Sequence, residues 1–585
     1  MRPITPLFLV VALLLTGGAT RLAYIEYSEG DALRSRASAQ HTATISFPAL
    51  RGDILDARGR VLAGSAPRPT IFVDPSAVDD PGFAAHSIAP VLGLSAEALE
   101  RDLRERADRG YFVLKREVSD AELARFKHVR DARKLRAFGI QADSLRVYPY
   151  GALAGQILGF VGAEGRGAGG VELFYDEHLV GTPGFRRSIV DVQRRRLRQS
   201  PADYVAPRDG ATVVLTIDAY VQQVAEQHLA KAVADHRAEW GVATVLDALS
   251  GEVLAMANVP TFDPSSPVPP NATPEQVTAS LDLLQNRAAS FAYEPGSTFK
   301  PFVAALAMED GLTRIGEVFA INGPRRVFGS RTINDTHGYA SLLFEEILSR
   351  SSNIGMGLIG ARCGNERMHR YVRLFGFGDA TGVGLPGEHT GQVNDFGSWG
   401  PFSTQSIPIG QEISVTCLQL ANAFNVFATD GVLLRPRVVR GIVASDGNMI
   451  WDNSRPIPVR RVMSEATARA VRVQALAQTV VSGTGKTAAI PGYQVYGKTG
   501  TAQIARPGGY LDGKYTASFV CGAPTRNPRL TVAVSVYKPV GQYYGGQVAA
   551  PAAGRILADV LLYMQVPAEA HFDAAGSTQD RAGGD

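Results

Sequence analysis

From Pro3 to Thr20 the chain carries no charged residue, and the run Leu7-Phe8-Leu9-Val10-Val11-Ala12-Leu13-Leu14-Leu15 lies at the centre of that stretch. Wound as a helix, the stretch covers about 27 Å, enough to cross the hydrocarbon of a bilayer. A cleaved export signal is the rival reading, because Gly17-Gly18-Ala19 supplies small residues where a peptidase cuts. Charge counting does not separate the two, since Arg2 precedes the segment and Arg21, Arg34 and Arg36 come after it. An uncleaved anchor over residues 1–24 is favoured. A buried core helix fits least, the segment having no partner helix nearby. Both leading readings put the rest of the chain on the far side of a membrane.

The exported remainder is too long for one hydrophobic core: the chain has 585 residues, so two or more domains are expected. Its hydrophobic content of 45% and net charge of +3 are those of an ordinary globular protein. They give no global electrostatic case for binding nucleic acid. Three widely spaced cysteines, Cys363, Cys417 and Cys521, build neither a disulfide framework nor a C-x-x-C site.

Residues 25–44 are polar and helix-compatible, a stalk. Beyond them, Arg51 to Ala63 reads as a hairpin about a glycine turn, Pro90 to Arg133 as helical, and Leu145 to Pro201 as strands and turns. This first exported section, 45–205, holds no catalytic cluster. Its basic run Arg194-Arg195-Arg196-Leu197-Arg198 reads as a solvated strand face or a contact for an acidic partner rather than a nucleic-acid site. A second domain, 206–566, opens on a strand at Ala211–Asp218 and a helix from Gln222 to Ala234. Paired strands, Trp240–Asp247 and Glu252–Ala257, come next. Helices dominate Pro301 to Phe375; a strand at Leu530–Tyr537 and a helix from Ala552 to Met564 close the domain. The order is that of an α+β fold. Residues 567–585 are small and polar, a disordered tail.

Three short motifs carry chemistry. In Tyr293-Glu294-Pro295-Gly296-Ser297-Thr298-Phe299-Lys300, Pro-Gly makes a turn and Ser297 begins a helix, with Lys300 on the same face. A serine needs a base to become a nucleophile, and an amine serves when burial depresses its pKa. Alone, this is equally a capping serine and a surface lysine. About fifty residues on, Ser351 and Asn353 in Ser351-Ser352-Asn353 skip one position, as a loop does to aim two polar side chains into one cleft. Alone, it is a turn or cap. In Gly497-Lys498-Thr499-Gly500-Thr501, a strand lays backbone beside an extended peptide. Gly500 permits close approach, Lys498 supplies charge, and Thr499 and Thr501 offer hydroxyls. The N–H groups of Ser297 and Thr501 are the candidate oxyanion hole. Each motif is cheap, but their co-occurrence in this order is not.

On these motifs the chain resembles the class B penicillin-binding proteins over nearly its whole length. Arg51-Gly52, Asp56 and Gly59 match the family's first N-terminal signature, Arg146, Tyr148 and Pro149 a second, and Gly170-Val171-Glu172 with Gly181-Thr182-Pro183-Gly184 a third. Ala57 departs from the pattern, standing where the family usually has arginine, with Arg58 one place later. The resemblance implies a membrane anchor, an elongated pedestal (dimerisation-type) domain, and a transpeptidase domain of antiparallel sheet flanked by helices with a helical subdomain. It implies that Ser297 attacks the D-Ala–D-Ala bond of a peptidoglycan stem peptide, with Lys300 as base. Ser351, beside Lys498, passes the proton to the leaving amine, and Asn353, Thr499, Gly500 and Thr501 bind substrate. β-Lactams trap Ser297, and no metal or cofactor is required; Asp335, His337 and Cys363 follow no zinc spacing.

Within the family, Tyr293–Ser297, Ser351–Asn353, Asn334-Asp335-Thr336-His337 and Phe375-Gly376-Phe377-Gly378 look like the cell-division (FtsI-like) branch. That branch implies septal wall synthesis by a single-pass protein of the cytoplasmic membrane. Its implied partners are a lipid-linked polytopic glycosyltransferase and other division proteins. The alternatives are an elongation-type transpeptidase, a D,D-carboxypeptidase, or an inactive division scaffold. A class A β-lactamase would add an E-x-x-x-N element between Asn353 and Lys498; the chain has none.

Overall fold

The computed structural model describes residues 4–162, 164–190, 196–198, 204–269 and 271–569. Arg194 and Arg195 of the basic run, and the expected tail from residue 570 onward, lie outside the described residues. Glu569, inside the expected tail, accepts hydrogen bonds from the Gln494 and Arg526 backbone N–H groups.

One helix, Ile4–His41, runs unbroken through the expected anchor and most of the expected stalk, whose last residues, 42–44, open the strand Thr42–Phe47 instead. Its segment Leu7–Asp31 is long and apolar enough to cross a membrane, with a mean hydropathy of 1.8. Leu13, Leu14 and Leu15 are exposed along it.

The described chain forms two compact units, and they do not follow a single cut. The first comprises 1–51, 65–145 and 180–210. Its core is a three-stranded sheet, ordered Phe112–Lys115, Thr70–Val73, Phe138–Gln141, under the helices Pro81–Leu92, Ala96–Glu105 and Asp120–Ala132. Side chains of Asp80, Ser95 and Ser119 cap those helices, Ser119 in a reciprocal capping box with Glu122. The expected helical stretch 90–133 is therefore interrupted. Phe112-Val113-Leu114-Lys115 pairs with Thr70–Val73, a long-range partner that local periodicity does not reveal.

The second unit gathers 52–64, 146–179 and everything from Ala211. Ile54, Leu62, Tyr148, Ile157, Val171 and Leu179 are buried in the same cluster as Val213, Leu215 and Phe299. The expectation of strands and turns over Leu145–Pro201 fails at its centre, where three short helices stand: Gly155–Leu158, Gly170–Phe174 and Asp176–Leu179. The glycines there mark tight packing as well as turns. A Cβ on Gly159 would meet the Gly169 carbonyl at 1.8 Å. Ala57 leaves no gap in the local ion pairs: Arg58 Nε meets Asp218 at 2.8 Å, and Arg60 bridges Asp56 at 2.6 Å and Asp218 at 2.7 Å.

An antiparallel five-stranded sheet centres this unit, ordered Val253–Val259, Trp240–Asp247, Leu530–Tyr537, Gly509–Ala523, Tyr496–Arg506. It is buried on both faces. Along Trp240–Asp247, Val242 and Leu246 enter one apolar cluster, while Ala243 and Val245 enter the other with the helices Ala219–Asp235 and Ala550–Tyr563. Helices Lys300–Glu309, Asn353–Leu374 and Cys417–Asn425 contribute to the first cluster. Within 301–375 the expected helices Lys300–Glu309, Phe344–Ser349 and Asn353–Leu374 are interrupted. A long hairpin, Val318–Phe328 with Arg331–Leu343, lies between the first two. Phe319 and Ile321 are buried between exposed Val318, Ala320 and Asn322, a period of two that excludes a helix.

Candidate active site

Ser297 sits in a single 3-10 turn, Gly296–Phe299, that runs into the helix Lys300–Glu309. Gly296 has φ +55°, a left-handed conformation that glycine adopts freely, and its N–H donates to the Gly410 carbonyl at 3.1 Å. Beneath the turn Phe299 packs edge-on against Phe302, and the two lie tilted against Phe377 and Phe375 respectively. This anchors the turn and leaves Ser297 half-exposed at its surface. The Ser297 hydroxyl makes no hydrogen bond to any described residue, so it is open to a substrate.

Lys300 is fully buried. Its ammonium has three acceptors: the Ser351 carbonyl, Ser351 Oγ at 3.1 Å and Asn353 Oδ1 at 2.7 Å. Ser351 has φ +62°, an unusual conformation for a residue with a side chain and of the kind concentrated at functional sites. From there its hydroxyl also accepts from Lys498 Nζ at 2.9 Å. Two buried amines thus share one hydroxyl. Burial lowers the Lys300 pKa to about 7, the nearby Asp335 opposing it only in part. Burial, with the positive charge of Lys300, lowers that of Lys498 as well.

Asn353 is held by its neighbours. Its Nδ2 donates to the Asn334 carbonyl at 2.9 Å, and Asp335 accepts from the N–H groups of Asn353 and Ile354 and from Ser352 Oγ. Asp335 therefore caps the helix that begins at Asn353.

Tyr496–Arg506 is an edge strand, so one row of its backbone groups faces away from the sheet. The space at Gly500 is filled by the protein itself: a Cβ there would meet Ser518 Oγ at 2.4 Å, Thr298 Cγ2 at 2.8 Å and the Pro295 carbonyl at 2.9 Å. The glycine lets the Ser297 turn seat on the strand. Thr499 Oγ1 shares a hydrogen bond with Thr484 Oγ1 at 2.7 Å, and Thr501 Oγ1 accepts from the Gly545 N–H at 3.1 Å. Ser297 N–H lies at the start of its turn, where a backbone donor lacks an intrahelical acceptor.

Sequence reading misses the roles of three members of this site. Thr484, in Ser482-Gly483-Thr484-Gly485, carries only a turn signal. Asp335 stands out in the sequence as an acidic residue near His337, with nothing local to mark it as a cap. Glu294 accepts from Tyr510 OH at 3.0 Å and from the Glu412 N–H at 3.1 Å, tying the Ser297 turn to a strand and a loop. Burial raises its pKa.

One consequence is a pH dependence. The free amine of Lys300 is the form that accepts a proton, and with a pKa of about 7 that form grows as pH rises through neutrality. Acylation of Ser297 should therefore fall about tenfold per unit below pH 7 and level off above it. Stopped-flow acylation rates between pH 5 and 9 check this; a flat profile would contradict it.

An antiparallel sheet between helical layers, with a serine opening a helix over a buried lysine, defines the active-site-serine transpeptidase class. Comparison with known proteins agrees. Residues 241–558 match the penicillin-binding protein transpeptidase domain, and 46–215 the penicillin-binding protein dimerisation domain. Stage V sporulation protein D of Bacillus subtilis is 33% identical over 548 residues, 93% of this chain and 82% of that protein. Peptidoglycan D,D-transpeptidase FtsI of Escherichia coli is 30% identical over 557 residues, 94% of this chain and 90% of that one. Among solved structures, penicillin-binding protein 3 of Mycobacterium tuberculosis complexed with aztreonam superimposes with a TM-score of 0.69 at 30% identity, covering 90% of this chain and 98% of that chain. The chain belongs to the class B penicillin-binding proteins.

Proposed function

We propose that this protein is a peptidoglycan D,D-transpeptidase of septal wall synthesis, acting through an acyl-enzyme on Ser297. The observation that carries the reading is the paired lysines. A serine hydroxyl with no partner among the described residues lies one turn from an amine poised near neutrality, and a second hydroxyl, Ser351, bridges that amine to Lys498.

Each residue then has a task. Lys300 takes the Ser297 proton as Oγ attacks the carbonyl of the penultimate D-alanine. The oxyanion is met by the N–H groups of Ser297 and Thr501. The stem peptide lies along the free edge of Tyr496–Arg506, adding a strand. Thr501 Oγ1 accepts from Gly545 and so keeps its own proton to donate; the Thr484–Thr499 pair likewise keeps one. Those protons, with the charge of Lys498, suit the terminal carboxylate, while Asn353 holds a substrate amide. Ser351 relays a proton to the departing D-alanine, and an amine from a second stem peptide takes the acyl group. β-Lactams, which mimic the D-Ala–D-Ala end, acylate Ser297 and stay.

The anchor helix holds the catalytic unit on the outer face of the cytoplasmic membrane. A lipid-linked polytopic glycosyltransferase and other division proteins are the proposed partners. Intact-mass spectrometry after benzylpenicillin tests the reading. A long-lived one-to-one adduct, absent from Ser297→Ala, is expected; rapid turnover of the drug would point to a hydrolase, and no adduct to a scaffold.

A further inference from the structure

The segment that carries Ser297 is held unevenly by its two neighbours. On one side Tyr293 exchanges both backbone hydrogen bonds with Val415, at 3.0 Å and 2.9 Å, and the Gly296 N–H reaches the Gly410 carbonyl. On the other side the turn rests on the strand Tyr496–Arg506 by packing. A Cβ on Gly296 would meet Ala502 Cβ at 3.2 Å and the Thr501 carbonyl at 3.5 Å. Among the described residues, one hydrogen bond joins residues 294–299 to the hairpin of Tyr496–Arg506 and Gly509–Ala523. It runs from Tyr510 OH to Glu294 Oε2 at 3.0 Å.

That bond also closes a ring of polar contacts through the site. The other oxygen of Glu294, Oε1, accepts from the Glu412 N–H at 3.1 Å. Glu412 holds φ +66°, a backbone conformation that concentrates at functional sites when a side chain is present. Its carboxylate accepts from Ser403 Oγ at 2.6 Å, and the adjacent Gln411 Oε1 accepts from Arg331 at 2.8 Å. Three residues along the strand of Arg331, the Asn334 carbonyl holds Asn353 Nδ2. Asn353, Lys300, Ser351 and Lys498 then lead back to the strand Tyr496–Arg506. Glu294 is the link of this ring at the serine turn.

We propose that Glu294 is a positioning residue for acylation; this rests on the transpeptidase reading above. Its carboxylate holds Tyr510 and the Glu412 N–H at once. It thereby fixes the spacing between the turn that carries the Ser297 N–H and the strand that carries the Thr501 N–H. Those two donors meet the oxyanion only at the right separation, and a misplacement of about 1 Å costs about 10²-fold in rate. Packing at Gly296 and Gly500 stops turn and strand from approaching further, but it does little to stop them parting. The Tyr510 bond resists parting. A carboxylate suits the task because it accepts from both sides and its charge strengthens both bonds. Glu294 lies three residues before Ser297 and acts through these two N–H groups, not by contact with the reacting atoms.

The test is stopped-flow acylation of the full-length protein in detergent by benzylpenicillin, with the limiting rate and the half-saturating concentration read separately. Glu294→Ala should lower the limiting rate about tenfold, the worth of a hydrogen bond to a charged group. The half-saturating concentration should move less than about twofold. Glu294→Gln should recover most of the rate, since its carbonyl still accepts from Glu412 and its amide donates to the Tyr510 oxygen. Tyr510→Phe should slow acylation about threefold, and the double variant Glu294→Ala/Tyr510→Phe should be no slower than Glu294→Ala. A change confined to the half-saturating concentration, additive losses in the double variant, or a Gln variant as slow as Ala would overturn the assignment. If Glu294→Ala does not fold, Tyr510→Phe decides, and an unchanged limiting rate there overturns it. A wild-type chain that forms no penicillin adduct would instead overturn the transpeptidase reading itself.

Discussion

Alanine in place of Lys300 should slow acylation by benzylpenicillin by about 10²–10⁴-fold, the contribution of a general base. The amine is buried, its burial lowers its pKa to about 7, and Ser297 lies one turn before it. Lys498 is not expected to stand in. Part of what depresses its pKa is the charge of Lys300, so removing Lys300 lets Lys498 hold its proton more firmly. Its Nζ also faces Ser351 Oγ and the Thr499 carbonyl, to which it donates at 2.9 Å and 3.2 Å. Arginine at 300 should fail as badly, because a guanidinium is not deprotonated in proteins. Adduct formation followed by mass against time measures the effect. A rate within tenfold of the wild type would remove Lys300 from the role of base.

Glu172→Gln should cost about 3–5 kcal/mol of stability, a large share of the 5–15 kcal/mol typical of a domain. Glu172 is fully buried and meets Arg146 Nε at 2.7 Å, with Arg146 itself only 7% exposed at its side chain. Arg146 also donates to the Gly52 carbonyl at 2.8 Å, and Tyr148 OH lies 3.4 Å from Glu172 Oε1. Taking away the carboxylate removes the negative charge that meets the buried Arg146 guanidinium. That penalty, rather than the worth of the ion pair, dominates the loss. Urea unfolding gives the value, provided the slope with denaturant is unchanged. A loss below 1 kcal/mol for the single variant would mean that water reaches the pair.

The same two sites separate what was legible from what was not. Ser297, Lys300, Ser351, Asn353 and Lys498 stood out in the sequence as candidates because each belongs to a short string whose residue types suit one chemistry. The paired strands Trp240–Asp247 and Val253–Val259 were readable too, as was Leu530–Tyr537, since short-range pattern governs them. Thr484 and Asp335 were not legible in their roles. Each works by touching a distant residue: Thr484 meets Thr499, and Asp335 caps a helix that starts eighteen positions later. The strand Phe112–Lys115 was hidden for a related reason. A strand is stabilised by a partner that can lie far along the chain, and local propensity does not name it.

By itself, then, the amino-acid order determined the apolar N-terminal helix, the α+β class, and the set of side chains able to make an acyl-enzyme. These depend on hydrophobic period, turn residues and functional groups, all local properties. Tertiary structure alone decided that two lysines share the Ser351 hydroxyl, and that Gly500 is small for the sake of the Ser297 turn. It also decided that residues 52–64 and 146–179 fold with the catalytic unit. Those outcomes come from burial, which sets an amine's pKa and a glycine's necessity, and burial exists only after distant segments have met.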